Sequence, residues 1–304
     1  MTKIVIIGAG IAGHSVAVNL REKNKDCLIT LISEEAYLPY DRRKLIDYLK
    51  GDIKDSDLFL ASEDFYKENN INFLKEKIVV SINTNKKVIH FKDSKETIDY
   101  EILVICSGKK IVLPEIPGAH KEGVFNFYSL TDLKKFTQSP ITDTICVVGS
   151  DQGALDLAKT ISVKYKVEVK LISLNDFDVC AVPPEVELIK SQVTEIIGEG
   201  FAQAIKLKEG KVIAVTNILF KEKLESNINF LKNTQIEILN NQIIVGQNLE
   251  TNIKNIFSCG SVASYKDNTD FIKTFDDVVN ESKILVDNLI NQIKVKADVA
   301  AGGE

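Results

Sequence analysis

The pattern of apolar and polar residues at the start of the chain predicts a strand, a helix and a second strand. A β-branched apolar run opens at Ile4, a helical pattern follows Gly13, and a second apolar run closes on Glu34. Short apolar runs bounded by turn residues are typical of strands, and a helix between two of them is typical of a βαβ unit.

The turn between the first strand and the helix carries the spacing Gly8-x-Gly10-x-x-Gly13. Gly8 permits a tight turn, Gly10 lets the backbone approach a diphosphate, and Gly13 lets the helix pack closely on the strand. The helix N-terminus offers free N–H groups and the positive end of its dipole to phosphates. Glu34 is placed to accept hydrogen bonds from a ribose. The segment therefore predicts a dinucleotide site, the alternative being a glycine-rich turn in an unrelated α/β domain.

Beyond Glu34 the pattern changes several times. Residues 57–74 are predicted to be helical, residues 77–91 to form a hairpin around Asn83–Asn85, and residues 97–106 to form a strand closed by Ser107-Gly108. The segment 113–118 (LPEIPG) is rich in Pro and Gly and is typical of a domain boundary.

A second βαβ pattern begins at Thr144 and ends in the apolar run VEVKLIS, and it is the internal repeat of the sequence. The rest of the pattern predicts a closing helix at 275–293. It also predicts short strands at 193–197, 202–207, 211–220, 236–245 and 255–259.

Composition narrows the class of protein. The chain has 304 residues, 44% of them apolar and 27% charged, with a net charge of −5. This length is enough for about two domains. The mild acidity argues against nucleic acid as a ligand. No apolar run reaches the roughly 18–20 residues of a membrane span, and the first strand follows Met1 too closely for a signal peptide, so we expect a cytoplasmic protein.

The cysteines and histidines offer no redox or metal centre. Five widely spaced cysteines without a CxxC pair are expected to be small buried residues, at positions Cys27, Cys106, Cys146, Cys180 and Cys259. His14 is expected to be structural, and His90 and His120 to lie on the surface. Redox chemistry would therefore need a bound cofactor.

Several linked motifs resemble those of the pyridine nucleotide–disulfide oxidoreductases, an FAD-dependent family. The similarity is to the branch without a redox-active disulfide, which includes rubredoxin and ferredoxin reductases, NADH oxidases and the flavin domain of nitrite reductase. The motifs occur in the family's order, as GAGIAG (8–13), SEE (33–35), PYDR (39–42), YEILVICSG (100–108), PEIPG (114–118) and TNIKNIFSCGS (251–261). The match is good over 1–118 and 245–265 and poor over 119–244, and we expect the family's C-terminal interface domain to be absent.

The resemblance implies an α/β fold of two Rossmann-like dinucleotide-binding domains arranged as in glutathione reductase, the second inserted in the first and reduced. We expect an FAD-binding domain at 1–117 and 245–304 and a degenerate NAD(P)-binding-like domain at 118–244. The resemblance also implies which residues lie along FAD: Gly8, Gly10, Ile11, Ala12, Gly13, Glu34, Arg42, Val79, Ser107, Gly108, Gly260 and Ser261. For Arg42 a solvated surface arginine is the alternative, and for Val79 ordinary strand packing.

The second nucleotide site departs from the family in three places. Asp151 stands where a glycine should admit a diphosphate, and its carboxylate both fills the space and repels phosphates. The following strand ends in Ser173-Leu174, with neither an acid for a ribose nor an arginine for a 2′-phosphate. The segment FKEKLES (220–226) replaces a glycine-containing turn. We therefore predict that NAD(P)H binding is doubtful.

Two departures concern the flavin side. Ser261 replaces an Asp of the family, which keeps a hydrogen-bonding oxygen and loses the charge. Asp47 replaces a Lys, and if it lies near the isoalloxazine its charge would lower the flavin potential. No catalytic side chain is identified, because flavin itself carries the redox chemistry.

Three functions remain open. The first is an electron-transfer flavoprotein that exchanges electrons with a protein redox partner, of the iron–sulfur or metalloenzyme class. The second is an NAD(P)H-dependent rubredoxin- or ferredoxin-type reductase, and the third is a non-catalytic FAD-binding subunit. No nucleic acid or membrane partner is expected, and the sequence leaves the oligomeric state, the partner and the direction of electron flow undetermined.

Overall fold

The computed structural model describes residues 1–141, 144–177, 182–268 and 273–301, with side chains up to residue 295. The chain divides into two compact units. The first comprises Met1–Asp41, Phe59–Lys109 and Ser226–Glu304, and the second comprises Arg42–Leu58 and Lys110–Glu225.

The first unit is built on a parallel sheet with two small additional sheets. Its strands are β1 (Lys3–Ile7), β2 (Leu28–Ile32), β3 (Ile71–Leu74), β4 (Val79–Asn83), β5 (Val88–Phe91), β6 (Thr97–Asp99), β7 (Ile102–Ile105), β18 (Ile238–Leu239), β19 (Gln242–Val245), β20 (Ile256–Ser258) and β21 (Ala263–Tyr265). Its helices are α1 (Ile11–Lys23), α4 (Glu63–Glu68) and α7 (Phe275–Ala301), with a 3₁₀ turn at Asn229–Leu231.

The second unit carries another parallel sheet and an antiparallel one. Its strands are β9 (Val124–Asn126), β10 (Thr144–Val148), β11 (Glu168–Ser173), β12 (Val186–Lys190), β13 (Val193–Ile197), β14 (Ala204–Leu207), β15 (Val212–Ala214) and β16 (Asn217–Phe220). Its helices are α2 (Leu45–Lys50), α3 (Asp55–Leu58), α5 (Leu130–Gln138) and α6 (Gln152–Tyr165), with a 3₁₀ turn at Arg42–Lys44. Strands β8 (Lys109–Ile111) and β17 (Leu224–Ser226) form a separate two-stranded sheet.

The main sheet of the first unit has the order β20-β7-β1-β2-β3, with every pairing parallel. Its central strand β1 is apolar and buried from Ile4 to Ile7 because both of its faces are covered. Helices α1 and α7 pack together, and an ion pair of Lys23 with Asp287 joins their exposed edges. Because β1, β7 and β20 run parallel to one another, their carboxyl ends share one edge of the sheet.

The main sheet of the second unit has the order β12-β11-β10-β16-β9, again with parallel pairing. The predicted second βαβ unit is confirmed as β10, α6 and β11. Strand β10 is buried from Ile145 to Val148 and takes the central position that β1 has in the first unit.

The element predictions are wrong in four segments. Residues 97–106, 211–220 and 236–245, each predicted as one strand, hold two strands each, namely β6 and β7, β15 and β16, and β18 and β19. The segment 57–74 is not helical throughout, because α4 ends at Glu68 and Ile71–Leu74 form β3 at the edge of the main sheet. Ile71 lies opposite Ile29 of β2 and is buried. Parallel pairing with a strand some 40 residues earlier in the chain decides the conformation, which local periodicity does not record.

The unit boundaries fall at different residues from the expected domain boundaries. The predicted domain boundaries lie at 117/118 and 244/245, whereas the chain passes between the two units at 109/110 and 225/226. Residues 42–58 also belong to the second unit. Gly118 packs against β13, since a Cβ there would lie 2.0 Å from the carbonyl oxygen of Ile196. Residues that follow Ser226 contribute Phe230 and Leu231 to the core of the first unit.

None of the helices in the described residues has both the length and the apolar character that a membrane span requires.

Candidate functional site

The turn between β1 and α1 is tightly packed at its first and last glycines and open at its middle glycine. Gly8 has φ +101°, and a Cβ there would lie 2.2 Å from the carbonyl oxygen of Cys106. A Cβ at Gly13 would lie 1.8 Å from the carbonyl oxygen of Gly8. Around a Cβ at Gly10, in contrast, no atom lies within 4 Å. The glycines at 8 and 13 are therefore required by packing, whereas Gly10 faces open space.

The N-terminus of α1 has no internal cap. Gly10 is its N-cap residue, no side chain caps it within the described residues, and the first turn carries no acid. The first backbone N–H groups of a helix lack intrahelical acceptors, and they carry the positive end of the helix dipole. Ile11, Ala12 and Gly13 therefore present their N–H groups towards the open side of the turn, where an anion can accept them.

Two further turns lie at the same edge of the sheet. Ser107 and Gly108 follow β7, and Gly260 and Ser261 follow β20. A Cβ at Gly108 would lie 3.7 Å from the Oγ of Ser261, and a Cβ at Gly260 would lie 2.9 Å from the Cβ of Ala12. The structure thus brings together the predicted residues of three turns.

Ser107 has a buried hydroxyl oxygen for which the described part of the chain supplies no hydrogen-bond partner. A buried hydroxyl without a partner costs about 1–3 kcal/mol, and such groups are usually satisfied by a ligand or water. The residues present therefore fit a dinucleotide cofactor: an uncapped helix N-terminus, glycines at the close contacts and an unsatisfied hydroxyl beside them.

Glu34 is exposed beyond the end of β2 and is only weakly engaged. Its two carboxylate oxygens each lie 3.4 Å from Nδ2 of Asn227. The backbone N–H of Asn227 donates to the carbonyl oxygen of Gly108 at 2.9 Å, which connects Glu34 to the turn after β7. Sequence reasoning missed Asn227, because no local signal marks an asparagine that lies 193 residues from its partner.

Val79, on β4, is half-buried and packs against the core of the first unit. Ordinary strand packing, the alternative weighed for this residue, is therefore present, and its contact with a cofactor stays a prediction. His14 lies in the first turn of α1, where its Nδ1 is 2.7 Å from the Oη of Tyr66. Burial lowers the pKa of His14 to about 4, so the ring is neutral at pH 7 and has a structural partner.

Arg42 and Asp47 belong to the second unit. The guanidinium carbon of Arg42 lies 4.8 Å from the ring centroid of Tyr128, a cation–π distance. Asp47, in the first turn of α2, pairs with Lys50 at 3.1 Å, and both side chains are partly exposed. Their predicted roles beside a flavin stay predictions.

The turn between β10 and α6 is closed by its own side chain. Asp151 is the N-cap of α6, and its Oδ1 accepts the N–H of Ala154 at 2.7 Å. The Nζ of Lys221 lies 3.5 Å from Oδ2 of the same carboxylate. An internal anion and its cation thus occupy the position at which α1 remains open. Burial, and next the charge of Asp151, raise the pKa of Glu222 beside this cluster.

The loop after β11 also bonds back onto this turn. The N–H of Leu174 donates to Oγ of Ser150 at 3.0 Å, and Nδ2 of Asn175 donates to the carbonyl oxygen of Ser150 at 3.0 Å. Asp176, the nearest acid beyond the strand, pairs with Lys190 at 2.5 Å. The polar groups at the end of β11 are therefore engaged with one another.

The cysteine prediction is confirmed for the four described residues. Cys27, Cys106, Cys146 and Cys259 are buried and free, whereas Cys180 lies outside the described residues. Burial raises the pKa of the Cys146 thiol, so this group stays protonated at neutral pH. Among the described residues no group of three or more His, Cys, Asp or Glu side chains could hold a metal ion.

Comparison with known proteins gives a family match and several relatives. The model of the family "Pyridine nucleotide-disulphide oxidoreductase" matches residues 2–284. NADH-rubredoxin oxidoreductase of Clostridium acetobutylicum is 29% identical over 272 residues, covering 87% of this chain and 69% of the relative. NADH oxidase of Methanocaldococcus jannaschii is 26% identical over 282 residues, covering 85% of this chain and 62% of the relative. The chain thus spans about two thirds of these relatives.

Solved structures agree on the fold. A covalent putidaredoxin reductase–putidaredoxin complex matches with a TM-score of 0.84 at 19% identity, over 95% of this chain and 75% of that one. NADH:rubredoxin oxidoreductase from Clostridium acetobutylicum matches with a TM-score of 0.75 at 23% identity, over 94% and 74%. At these identities the likeness shows the fold, which confirms the predicted α/β class with Rossmann-like sheets.

Proposed function

The chain belongs to the pyridine nucleotide-disulphide oxidoreductase family of FAD-dependent enzymes, and on this premise we propose that it exchanges electrons with a protein redox partner and does not use NAD(P)H. The observation that carries this proposal is the contrast between the open N-terminus of α1 and the self-capped N-terminus of α6. The partner class is an iron–sulfur protein or a metalloenzyme.

The first unit would hold the cofactor through the three turns. In this proposal the N–H groups of the Gly8–Gly13 turn bind the diphosphate, and Glu34 binds the adenosine ribose. The hydroxyls of Ser107 and Ser261 lie at the turns after β7 and β20 and supply further hydrogen bonds. Gly108 and Gly260 leave room for close approach because neither carries a side chain. Arg42 and Val79 are proposed to lie along the same cofactor, on the resemblance alone.

FAD, when bound, supplies the redox chemistry. The residues of the chain bind and orient it and set the charge around it. Direct electron transfer to a protein partner needs no side-chain acid or base, which is consistent with the neutral, hydrogen-bonded state of His14. The relatives support the partner class, since they include rubredoxin and ferredoxin reductases.

Against NAD(P)H stands the carboxylate of Asp151. A diphosphate at α6 would have to displace this side chain from the N–H of Ala154 and would meet its negative charge. Two like charges at about 4 Å repel by about 1 kcal/mol in water and by several near a protein surface, and loss of the cap costs about 1 kcal/mol more. Lys221 lies 3.5 Å from the carboxylate of Asp151, and this pairing reduces its attraction for phosphates.

A second candidate is an NAD(P)H-dependent reductase of a rubredoxin- or ferredoxin-type protein. It is favoured by the relatives, of which the proteins from Clostridium acetobutylicum and Methanocaldococcus jannaschii have NADH in their names. Weak nucleotide binding that leaves Asp151 in place would suffice for it.

Anaerobic mixing separates the two candidates. We expect the FAD-loaded protein to keep its flavin absorption when it is mixed with micromolar NADH or NADPH, and to lose it when it is mixed with a reduced low-potential iron–sulfur protein such as a ferredoxin. Dithionite provides the control for complete reduction. Rapid bleaching by either nucleotide would establish the second candidate instead. A flavin that no donor reduces would leave only a non-catalytic role for it.

A further inference from the structure

A buried ion pair lies directly behind the turn after β20. The Nζ of Lys273 is 2.7 Å from Oε1 and 2.9 Å from Oε2 of Glu281. The side chains are only 5% and 10% exposed. Because burial removes both charges from water, such a pair adds little net stability, and its retention calls for another reason.

Both members of the pair bond to the backbone of the turn. Lys273 donates to the carbonyl oxygen of Gly260 at 3.1 Å and to that of Ala263 at 2.7 Å. The N–H of Gly260 donates to Oε2 of Glu281 at 3.1 Å. The two polar backbone groups of Gly260 are thus both held by the ion pair. Gly260 has φ +80° and lies against Ala12, so its conformation is restricted on the other side as well.

We propose that Lys273 and Glu281 are positioning residues that hold the Gly260-Ser261 turn in the conformation required to bind FAD. The inference rests on the proposed FAD site, and it goes beyond it by naming two residues that do not line the turns. With Gly260 engaged by the pair, Ser261 is the member of the turn left to face the cofactor, with its Oγ directed towards Gly108.

A positioning role and a purely electrostatic role predict opposite results for the removal of Glu281. If the pair acted through its charge, removal of Lys273 would add negative charge near the phosphates and weaken binding, and removal of Glu281 would add positive charge and tighten it. If it positions the turn, both removals weaken binding, because each frees one backbone group of Gly260 or leaves its partner unpaired.

The test is the affinity of the apoprotein for FAD, measured by quenching of flavin fluorescence. We expect Lys273→Met and Glu281→Gln each to weaken binding about tenfold or more. Lys273→Arg keeps the charge and the donors, and we expect it to restore affinity to within about threefold of wild type. At saturating FAD, the shape of the visible absorption band should also change in Lys273→Met and return in Lys273→Arg.

A second ion pair of the same unit provides the control. Lys266 and Glu237 lie 3.1 Å apart with side chains 68% and 44% exposed. We expect Lys266→Met and Glu237→Gln to bind FAD within about twofold of wild type, because exposed pairs contribute little. Melting of each apoprotein shows that the variants fold.

Three outcomes would overturn the inference. One is tighter binding by Glu281→Gln, which would show an electrostatic role. Another is wild-type affinity in a Lys273→Met protein whose melting temperature has fallen, which would show a role in stability alone. If Lys273→Met does not fold, wild-type affinity for FAD in Glu281→Gln would likewise show that the pair does not position the turn. Failure of the wild-type protein to bind FAD would instead contradict the proposed function on which the inference rests.

Discussion

Helices α1 and α6 each begin directly after the central strand of a parallel sheet, and among the differences between their first turns one has large consequences. Gly10 leaves the N-terminus of α1 open, whereas Asp151, at the same position, caps α6 with its own carboxylate. The carboxylate of Asp151 satisfies a backbone N–H group of α6, whereas in our proposal the diphosphate of FAD does so at α1. A strand–turn–helix scaffold can therefore be stable without a bound phosphate, because a side-chain cap stabilises the N-terminus of its helix.

The largest effect is expected when the acid of the second turn is introduced into the first. Gly10→Asp has room, because no atom lies within 4 Å of a Cβ there. Its carboxylate would cap α1 and repel the diphosphate. We expect about a hundredfold weaker FAD binding or more, measured by fluorescence titration of the apoprotein, with little change in its melting temperature. Gly10→Ala, which adds only a methyl group, should lose much less. Unchanged affinity in Gly10→Asp would show that the phosphates lie elsewhere.

The next contrast is His14, which occupies the position that Leu155 has in α6. The unfolded chain takes up a proton at a His pKa of about 6.5, whereas the pKa of folded His14 is about 4. Stability is therefore lost as the pH falls from about 6.5 towards 4, by about 2 kcal/mol between pH 7.5 and 5. Urea unfolding of the His14→Leu apoprotein should show this loss removed. It should also show lower stability at pH 7.5, since the buried hydroxyl of Tyr66 loses its partner.

Tyr66→Phe is the matched control for this experiment. It removes the hydroxyl and leaves the titrating ring of His14 in place, so the pH dependence of stability should remain. An unchanged pH dependence in His14→Leu would contradict the assignment of the proton to His14.

Opening the second turn should have a smaller effect in the opposite direction. Asp151→Gly removes the carboxylate and frees Lys221 to interact with phosphates. We expect NADH and NADPH to bind about tenfold more tightly, as measured by the concentration dependence of flavin bleaching under anaerobic conditions. Binding should stay weak because the strand still ends in Ser173-Leu174. Asp151→Asn keeps a cap without the charge and should give an intermediate increase in affinity for the nucleotides. If neither variant binds them more tightly, Asp151 is not what prevents their binding.

Glu34 sharpens the comparison at the ribose end, where the second unit has Ser173 and Leu174 instead of an acid. Glu34→Gln replaces two anionic acceptors with one amide oxygen, and we expect about fivefold weaker FAD binding. The same fluorescence titration measures it, and Glu22→Gln on the exposed face of α1 is the control. Equal affinity in the two variants would remove Glu34 from the site.

The smallest effect is expected at Asp47. Asp47→Asn should raise the flavin midpoint potential, because a nearby negative charge disfavours the anionic reduced flavin. Its pairing with Lys50 and its partial exposure limit the size of the shift. Lys50→Met should move the potential the other way. A potential that does not rise in Asp47→Asn, measured by redox titration against dyes, contradicts the role proposed for this residue.

Much of the fold followed from local patterns. The two βαβ units, the hairpin of β4 and β5, and the glycine turn of α1 were predicted because each depends on residues close together in the sequence. Strand β3 was missed because its pairing with β2 is not local. The unit boundaries differ because Gly118 packs against β13, and because Phe230 and Leu231 enter the first core.

The candidate site divides in the same way. Its glycines and serines were predicted from motifs, and the structure brings those of the three turns together. The contacts of Asn227 with Glu34, and of Lys273 and Glu281 with Gly260, had no signal in the sequence. They join segments whose own patterns say nothing about one another.

The amino-acid sequence by itself determined that this chain carries one turn with glycines at positions 8, 10 and 13 and a second turn with an acid, Asp151, in place of the middle glycine. Those properties depend on which side chain occupies a single position of a local turn. Only the tertiary structure decided that Lys221 pairs with Asp151, and that a buried ion pair holds Gly260. Distances between residues far apart in the sequence are set by how strands and helices pack, and that packing depends on the whole core.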